Sequence, residues 1–121
     1  AVFDWQNNKT QLFNWWMDRI RKNLEYYDLV RIDHFRAFSA YWEIPASEKT
    51  AVNGKWEKGP GKELLDKIKD EFPEMPFIAE DLGDIDEEVI RLRDQFNLPG
   101  MKVLQFAFNR NMPVSWHIPH N

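Results

Sequence analysis

Three short runs rich in β-branched and aromatic residues are each preceded by a stretch with helical periodicity, and this order constrains the fold more than any other feature. The runs are residues 29–35 (LVRIDHF), 77–81 (FIAED) and 102–108 (KVLQFAF). Before the first, residues 10–27 carry Leu12, Trp16, Ile20 and Leu24 at every fourth position, with Thr10 as a candidate N-cap. Before the second, residues 61–72 place Leu64, Leu65, Ile68 and Phe72 on one face. Before the third, Asp84 opens a helix with Glu87 three residues on, an acidic variant of the capping box. Ile85, Val89, Leu92 and Phe96 give that helix its stripe, and Pro99-Gly100 ends it. The order αβαβαβ predicts parallel strands joined by helical crossovers, hence an α/β architecture.

Three strands make a poor free-standing parallel sheet, because such sheets are covered on both faces and leave two long edges. The expectation is therefore a partial parallel barrel of about three strands with covering helices. The whole of 1–121 would form one central segment of it, with no second domain and with open edges through which copies could associate. Residues 36–60 show no clear period and are expected to form a long aromatic loop of the kind that carries function. With 43% hydrophobic and 30% charged residues the chain is globular in composition. It has no cysteine, so disulfides and thiolate metal sites are excluded, in keeping with a cytoplasmic protein. No apolar run approaches a membrane span, and the first residues lack a signal peptide's layout. Sixteen basic against twenty acidic residues, with no basic block, argue against nucleic acid as a partner.

The first strand ends in chemistry. Alternate strand residues share a face, so Arg31 and Asp33 point one way while Val30 and Ile32 point the other. The apolar pair suits a helix-covered face. The charged pair then lies inside, at the strand's C-terminal end, where parallel-barrel enzymes place their reacting groups. A guanidinium beside a carboxylate favours the ionised form that a carboxylate nucleophile requires. A structural ion pair is the plainer use of the same residues. Glu80 and Asp81 close the second strand, and one of them is suited to protonate a leaving oxygen. A turn cap at Asp81 beside a solvated Glu80 is the plainer use there. Together, two strand-end carboxylates are the pair of a retaining glycosidase.

Other motifs carry less. Of the three histidines, His34 follows Asp33, while His117 and His120 lie in a Pro-rich tail, so no metal site is expected. The run Gly59-Pro60-Gly61-Lys62 lacks the spacing of a phosphate loop. Six Trp, nine Phe and three Tyr exceed what a core this small needs, and such rings also serve neutral ring-shaped ligands such as sugars. Trp42 and Trp56, in the long loop, are the better ligand candidates.

On these residues the chain resembles the amylomaltase or 4-α-glucanotransferase family, glycoside hydrolase family 77 of the α-amylase clan. The resemblance is carried by VRIDHFRAFSAYWEIPASEKTAVNGKW, KGPGKELL, IAEDLGDID, RDQFNLPGMKVLQFAF and IPHN, in that order. It implies a (β/α)8 barrel whose fourth and fifth strands end in nucleophile and acid/base. It implies Asp33 as the nucleophile, Glu80 as the proton donor, Arg31 as the arginine beside the nucleophile and His34 as a sugar contact. Asp81 and Phe106 fall at positions that line the donor and acceptor sites. The activity implied is transfer of a 4-α-glucan segment between maltooligosaccharides with retained configuration, without metal or organic cofactor. The family's third carboxylate, in a Tyr-Thr-Gly-Thr-His-Asp segment after IPHN, is not in this sequence. The resemblance therefore implies a central piece of such an enzyme. The other reading is a non-catalytic glucan-binding fragment.

Overall fold

The computed structural model of the chain describes residues 2–108. Its first helix, α1, runs Trp5–Leu24 and starts five residues before the periodicity suggests. Asp4, not Thr10, is the N-cap: its carboxylate accepts from the Asn7 N–H at 3.1 Å, and bonds from the Asn7 side chain and backbone hold its pKa below the ordinary value. The helix kinks at Asn8, so the sequence period becomes regular only beyond it. The buried stripe is Phe13, Met17 and Ile20, one position round from the expected one, with Trp16 and Leu24 packed at its margin.

β1 (Val30–Ile32) follows, then a 3-10 turn at Phe35–Phe38. The expected long loop is largely ordered. β2 (Ala40–Glu43) and β3 (Lys55–Lys58) form an antiparallel hairpin that sets Tyr41 opposite Glu57, Trp42 opposite Trp56 and Glu43 opposite Lys55. Cross-strand pairs of aromatic with aromatic, and of carboxylate with ammonium, are those that stabilise such ladders. The chain then crosses the backbone of Ala37–Phe38 at Gly59, where an added Cβ would lie 2.2 Å from the Ala37 carbonyl oxygen. Close approach, not phosphate binding, explains the Gly-Pro-Gly run.

α2 (Gly61–Glu71) buries Leu64, Leu65 and Ile68 completely, and β4 (Phe77–Ala79) pairs in parallel with β1. α3 (Glu87–Gln95) begins two residues after the expected cap: Asp86 is the N-cap, accepting from the N–H groups of Glu88 and Val89 at 3.0 and 3.1 Å. It also ends before Pro99-Gly100. Asn97 adopts a left-handed conformation (φ 52°), with its N–H on the Asp94 carbonyl and that of Leu98 on the Arg93 carbonyl, the paired bonds of a Schellman stop.

The third parallel strand is absent among the described residues. Residues 104–108 form a 3-10 turn, Leu104–Phe108, that buries Ala107 and leaves Leu104 and Phe108 exposed. Among the described residues one rung joins the segment after α3 to β4, the Ala79 N–H on the Pro99 carbonyl at 2.9 Å. An apolar run with no strand to pair with closes its hydrogen bonds locally. The described residues thus form a mixed α/β structure with one two-stranded parallel sheet and a separate hairpin, not three parallel strands.

Phe35, Phe77, Leu64, Leu65, Ile68 and Val89 are the fully buried centre, between the parallel pair and the three helices. Truncating a phenylalanine so placed costs about 3–5 kcal/mol. Among the described residues Arg36 is a buried charged residue, 8% exposed. Its Nε donates to the Asp84 carbonyl at 2.7 Å and its Nη2 pairs with Asp86 Oδ2 at 2.7 Å. Asp86 therefore caps α3 and neutralises a guanidinium at once. Asp86→Ala should lower the unfolding free energy of the intact protein by about 2–4 kcal/mol in urea denaturation, and Asp86→Asn, which keeps the cap, by about half as much.

Candidate active site

Parallel pairing places the two strand-end carboxylates side by side. Val30 pairs with Phe77 and Ile32 with Ala79, so the next positions in register are Asp33 and Glu80. Neighbouring strands lie about 4.8 Å apart. The ladder continues past the strands, with the Glu80 N–H on the Ile32 carbonyl at 2.9 Å and the Phe35 N–H on the Glu80 carbonyl at 3.0 Å. Here β1 turns sharply. His34 is left-handed (φ 51°, ψ 51°), a conformation costly for most side chains and concentrated at functional turns. The turn aims the His34 N–H at Glu80 Oε2, 2.8 Å away, while Glu80 Oε1 accepts from the Leu82 N–H at 3.1 Å. Glu80 is half-buried and held from both strand ends; it is not simply solvated.

Arg31 Nη2 lies 3.3 Å from Asp33 Oδ1, with the two side chains 55% and 76% exposed. An ion pair so exposed contributes about 1 kcal/mol or less, so the fold gains little from it. Ile32, on the other face, is buried. Structural ion pairing is therefore a weak account of Arg31 and Asp33, and an accessible carboxylate beside an accessible cation is what remains.

Asp81 differs from its neighbour. Its carboxylate is 7% exposed and pairs with Arg93 Nη1 at 2.5 Å, while its other oxygen accepts from the Met101 N–H at 2.7 Å. Burial alone would lower the Arg93 pKa, but the hydrogen bonds its guanidinium donates to Asp81 and Asp94 outweigh it and leave it raised. A Cβ on Gly100 would lie 2.4 Å from Asp81 Oδ2. Asp81 thus clasps the segment after α3, a use other than the turn cap weighed from the sequence. Asp81→Ala should cost about 2–3 kcal/mol of stability, read by denaturant unfolding, and Gly100→Ala should cost a similar amount by blocking the same clasp.

Asp33 and His34 line a cleft of about 400 Å3 whose other walls include Phe3 and Trp5, Trp16 of α1, and Tyr41 and Trp42 of the hairpin. Burial, with Glu43 and Glu57 nearby, pushes the Tyr41 phenol above its usual pKa and keeps it a neutral hydroxyl. Glu80, Asp81 and Phe106 are not among the lining residues of this cleft. Phe106 stands half-exposed on the Leu104–Phe108 turn. His117 and His120 lie outside the described residues, as does the IPHN run. Among the described residues no three His, Cys, Asp or Glu side chains gather to hold a metal, and no helix is long and apolar enough to cross a membrane.

Arg36 is the residue that sequence reasoning passed over. Besides its buried bonds, its guanidinium stacks on Trp56 at 4.4 Å, tying the hairpin to the turn after Asp33. A cation inside the aromatic run Phe35-Arg36-Ala37-Phe38 was the available signal.

Comparison with known proteins places this geometry. The family model described as 4-alpha-glucanotransferase matches residues 1–121. The chain is 54% identical over 120 residues to a 4-alpha-glucanotransferase of Thermus thermophilus and 50% identical over 120 residues to one of Aquifex aeolicus. In both cases 99% of this chain is covered and 24% of the relative. It superimposes on the amylomaltase of Streptococcus agalactiae, solved in complex with acarbose, with a TM-score of 0.88 at 43% identity, over 99% of this chain and 24% of the other. The chain thus spans about a quarter of the length of the relatives it matches.

Proposed function

The chain belongs to the 4-alpha-glucanotransferase family, glycoside hydrolase family 77, and from that membership we propose that it supplies the nucleophile and the acid/base of a 4-α-glucan transfer. The observation that carries the reading is the in-register pair Asp33 and Glu80 at the ends of two parallel strands, with Arg31 on the first carboxylate and an aromatic cleft opening beside it. In the first step an Asp33 oxygen attacks C1 of the donor glucose as the bond to the leaving glycosidic oxygen breaks. Glu80 gives that oxygen its proton. The product is a glucosyl ester on Asp33 of inverted configuration. In the second step Glu80 takes the proton of an acceptor hydroxyl, which displaces Asp33 and restores the original configuration.

Arg31 serves this reading by pairing with Asp33, and His34, on the cleft wall, by contacting the sugar. Phe106 offers an apolar ring to the acceptor. Asp81, with both oxygens occupied, serves from behind by fixing the Met101 segment next to Glu80. The two parallel strands fit the fourth and fifth of a (β/α)8 barrel, and the expected setting is cytoplasmic. The acarbose held by the S. agalactiae relative supports a glucan-type substrate. Incubating the intact protein with maltotriose and separating the products over time tests the activity. Glucose with maltodextrins longer than the substrate is the expected result; glucose and maltose alone would point to hydrolysis instead.

A further inference from the structure

We propose that the hairpin face bearing Trp42 and Trp56 is a stacking subsite for α-1,4-linked glucose units beyond the reacting residue, leading out of the cleft at Asp33. The proposal rests on the glucan reading of that cleft. The two tryptophans are direct cross-strand partners and so share one face of the hairpin. They remain 40% and 52% exposed, although burying an indole is among the larger apolar gains open to a folding chain.

Both rings are fixed. Trp42 donates its indole N–H to the Ala51 carbonyl at 2.9 Å, which sets its orientation. Trp56 lies over the Arg36 guanidinium, itself held by Asp84 and Asp86. Exposed rings that cannot move lose little entropy when a ligand stacks on them, which is the advantage of a preformed site. Trp42 is also among the residues that line the cleft holding Asp33, so the pair adjoins the candidate active site.

The cleft selects the ligand: the pair adjoins a site read as binding α-1,4-linked glucan, so an α-1,4-linked chain is the occupant. The ring centroids are 5.5 Å apart and the planes meet at 72°, an edge-to-face contact that braces the two indoles on each other. A glucan leaving the cleft can lay the C–H face of a glucose on the indole surface that this contact leaves exposed.

The test is oxidation of the intact protein with N-bromosuccinimide, each tryptophan mapped by mass spectrometry, in the presence of maltoheptaose or cellohexaose. Trp42 and Trp56 should react readily without sugar. Maltoheptaose should slow both about fivefold or more, in the range of one aromatic contact, and cellohexaose should not. Equal rates with and without maltoheptaose, or equal protection by both sugars, would overturn the proposal. So would tryptophans already unreactive before sugar is added, since other protein would then cover them. As a second measurement, Trp56→Ala should raise the KM for maltoheptaose about tenfold and that for maltotriose less. Tyr26→Ala, which removes an exposed ring between α1 and β1, should change neither. Equal losses on both sugars in Trp56→Ala would count against the subsite. Protection in a protein that does not transfer would sink the transferase reading alone. Transfer without protection would sink the subsite alone.

Discussion

Asp33→Ala should lower the rate of maltotriose disproportionation by about 10,000-fold or more while leaving the stability of the protein almost unchanged. The first half follows from the role: without a nucleophile no covalent intermediate forms, and losses of that size accompany removal of the attacking group in covalent catalysis. The second half follows from the structure. The Asp33 side chain is 76% exposed and pairs with the exposed Arg31 at 3.3 Å. Removing such a side chain changes the unfolding free energy by about 0.5 kcal/mol or less. The two halves together make the test sharp. A variant that is inactive and unfolded would say nothing about chemistry, whereas one that is inactive and folded isolates it. The stereochemistry of rescue goes further. With an α-maltosyl fluoride donor and azide, the space vacated by the carboxylate admits azide from the nucleophile's side, and the product should be the β-azide. Retained transfer activity in Asp33→Ala would end the assignment.

The two carboxylates could be picked out of the sequence as strand ends, but that they are neighbours comes from the register of the strands. Asp33 and Glu80 are 47 positions apart, the same offset that pairs Val30 with Phe77. Two residues closing parallel strands at the strand offset must be neighbours. The helices α2 and α3 were legible directly: Leu64, Leu65 and Ile68, and Val89, Leu92 and Phe96, are buried as their spacing requires. The cap of α1 was missed because Asp4 precedes a kink that interrupts the period.

What stayed hidden depends on partners far along the chain. The hairpin joins β2 to β3 across residues 44–54, and nothing local to either strand announces the pairing. Arg36 finds Asp84 and Asp86 some fifty positions away. The run at 102–108 shows the converse failure. Its composition suits a strand, but a strand needs a neighbour, and among the described residues β4 offers Pro99 one rung and no more. Asp81 was read with Glu80 because the two are adjacent. In extended backbone adjacent side chains face opposite ways, so one carboxylate of the pair turns to the His34 N–H and the other into the Arg93 clasp.

Glu80 is the harder residue to test, because it carries structure as well as chemistry. Its carboxylate accepts the N–H groups of His34 and Leu82. In Glu80→Gln one of those donors would face an amide NH2, so some stability is lost, about 1–3 kcal/mol, and the turn beside Asp33 is loosened. A fall in activity of about 100- to 10,000-fold is expected for a missing general acid, but loosening alone could cause part of it. The leaving group separates the two causes. A fluoride departs without a proton, so with α-maltosyl fluoride the first step in Glu80→Ala should recover most of its rate. A distorted site would stay slow. The second step still lacks its base, and the ester on Asp33 should accumulate. Azide needs no base, and it should release the ester from the face that the acceptor sugar uses, giving the α-azide. Opposite azide anomers from Asp33→Ala and Glu80→Ala would fix the two carboxylates on opposite sides of the same sugar ring. The same anomer from both variants would show that the roles have been misassigned, whatever the rates.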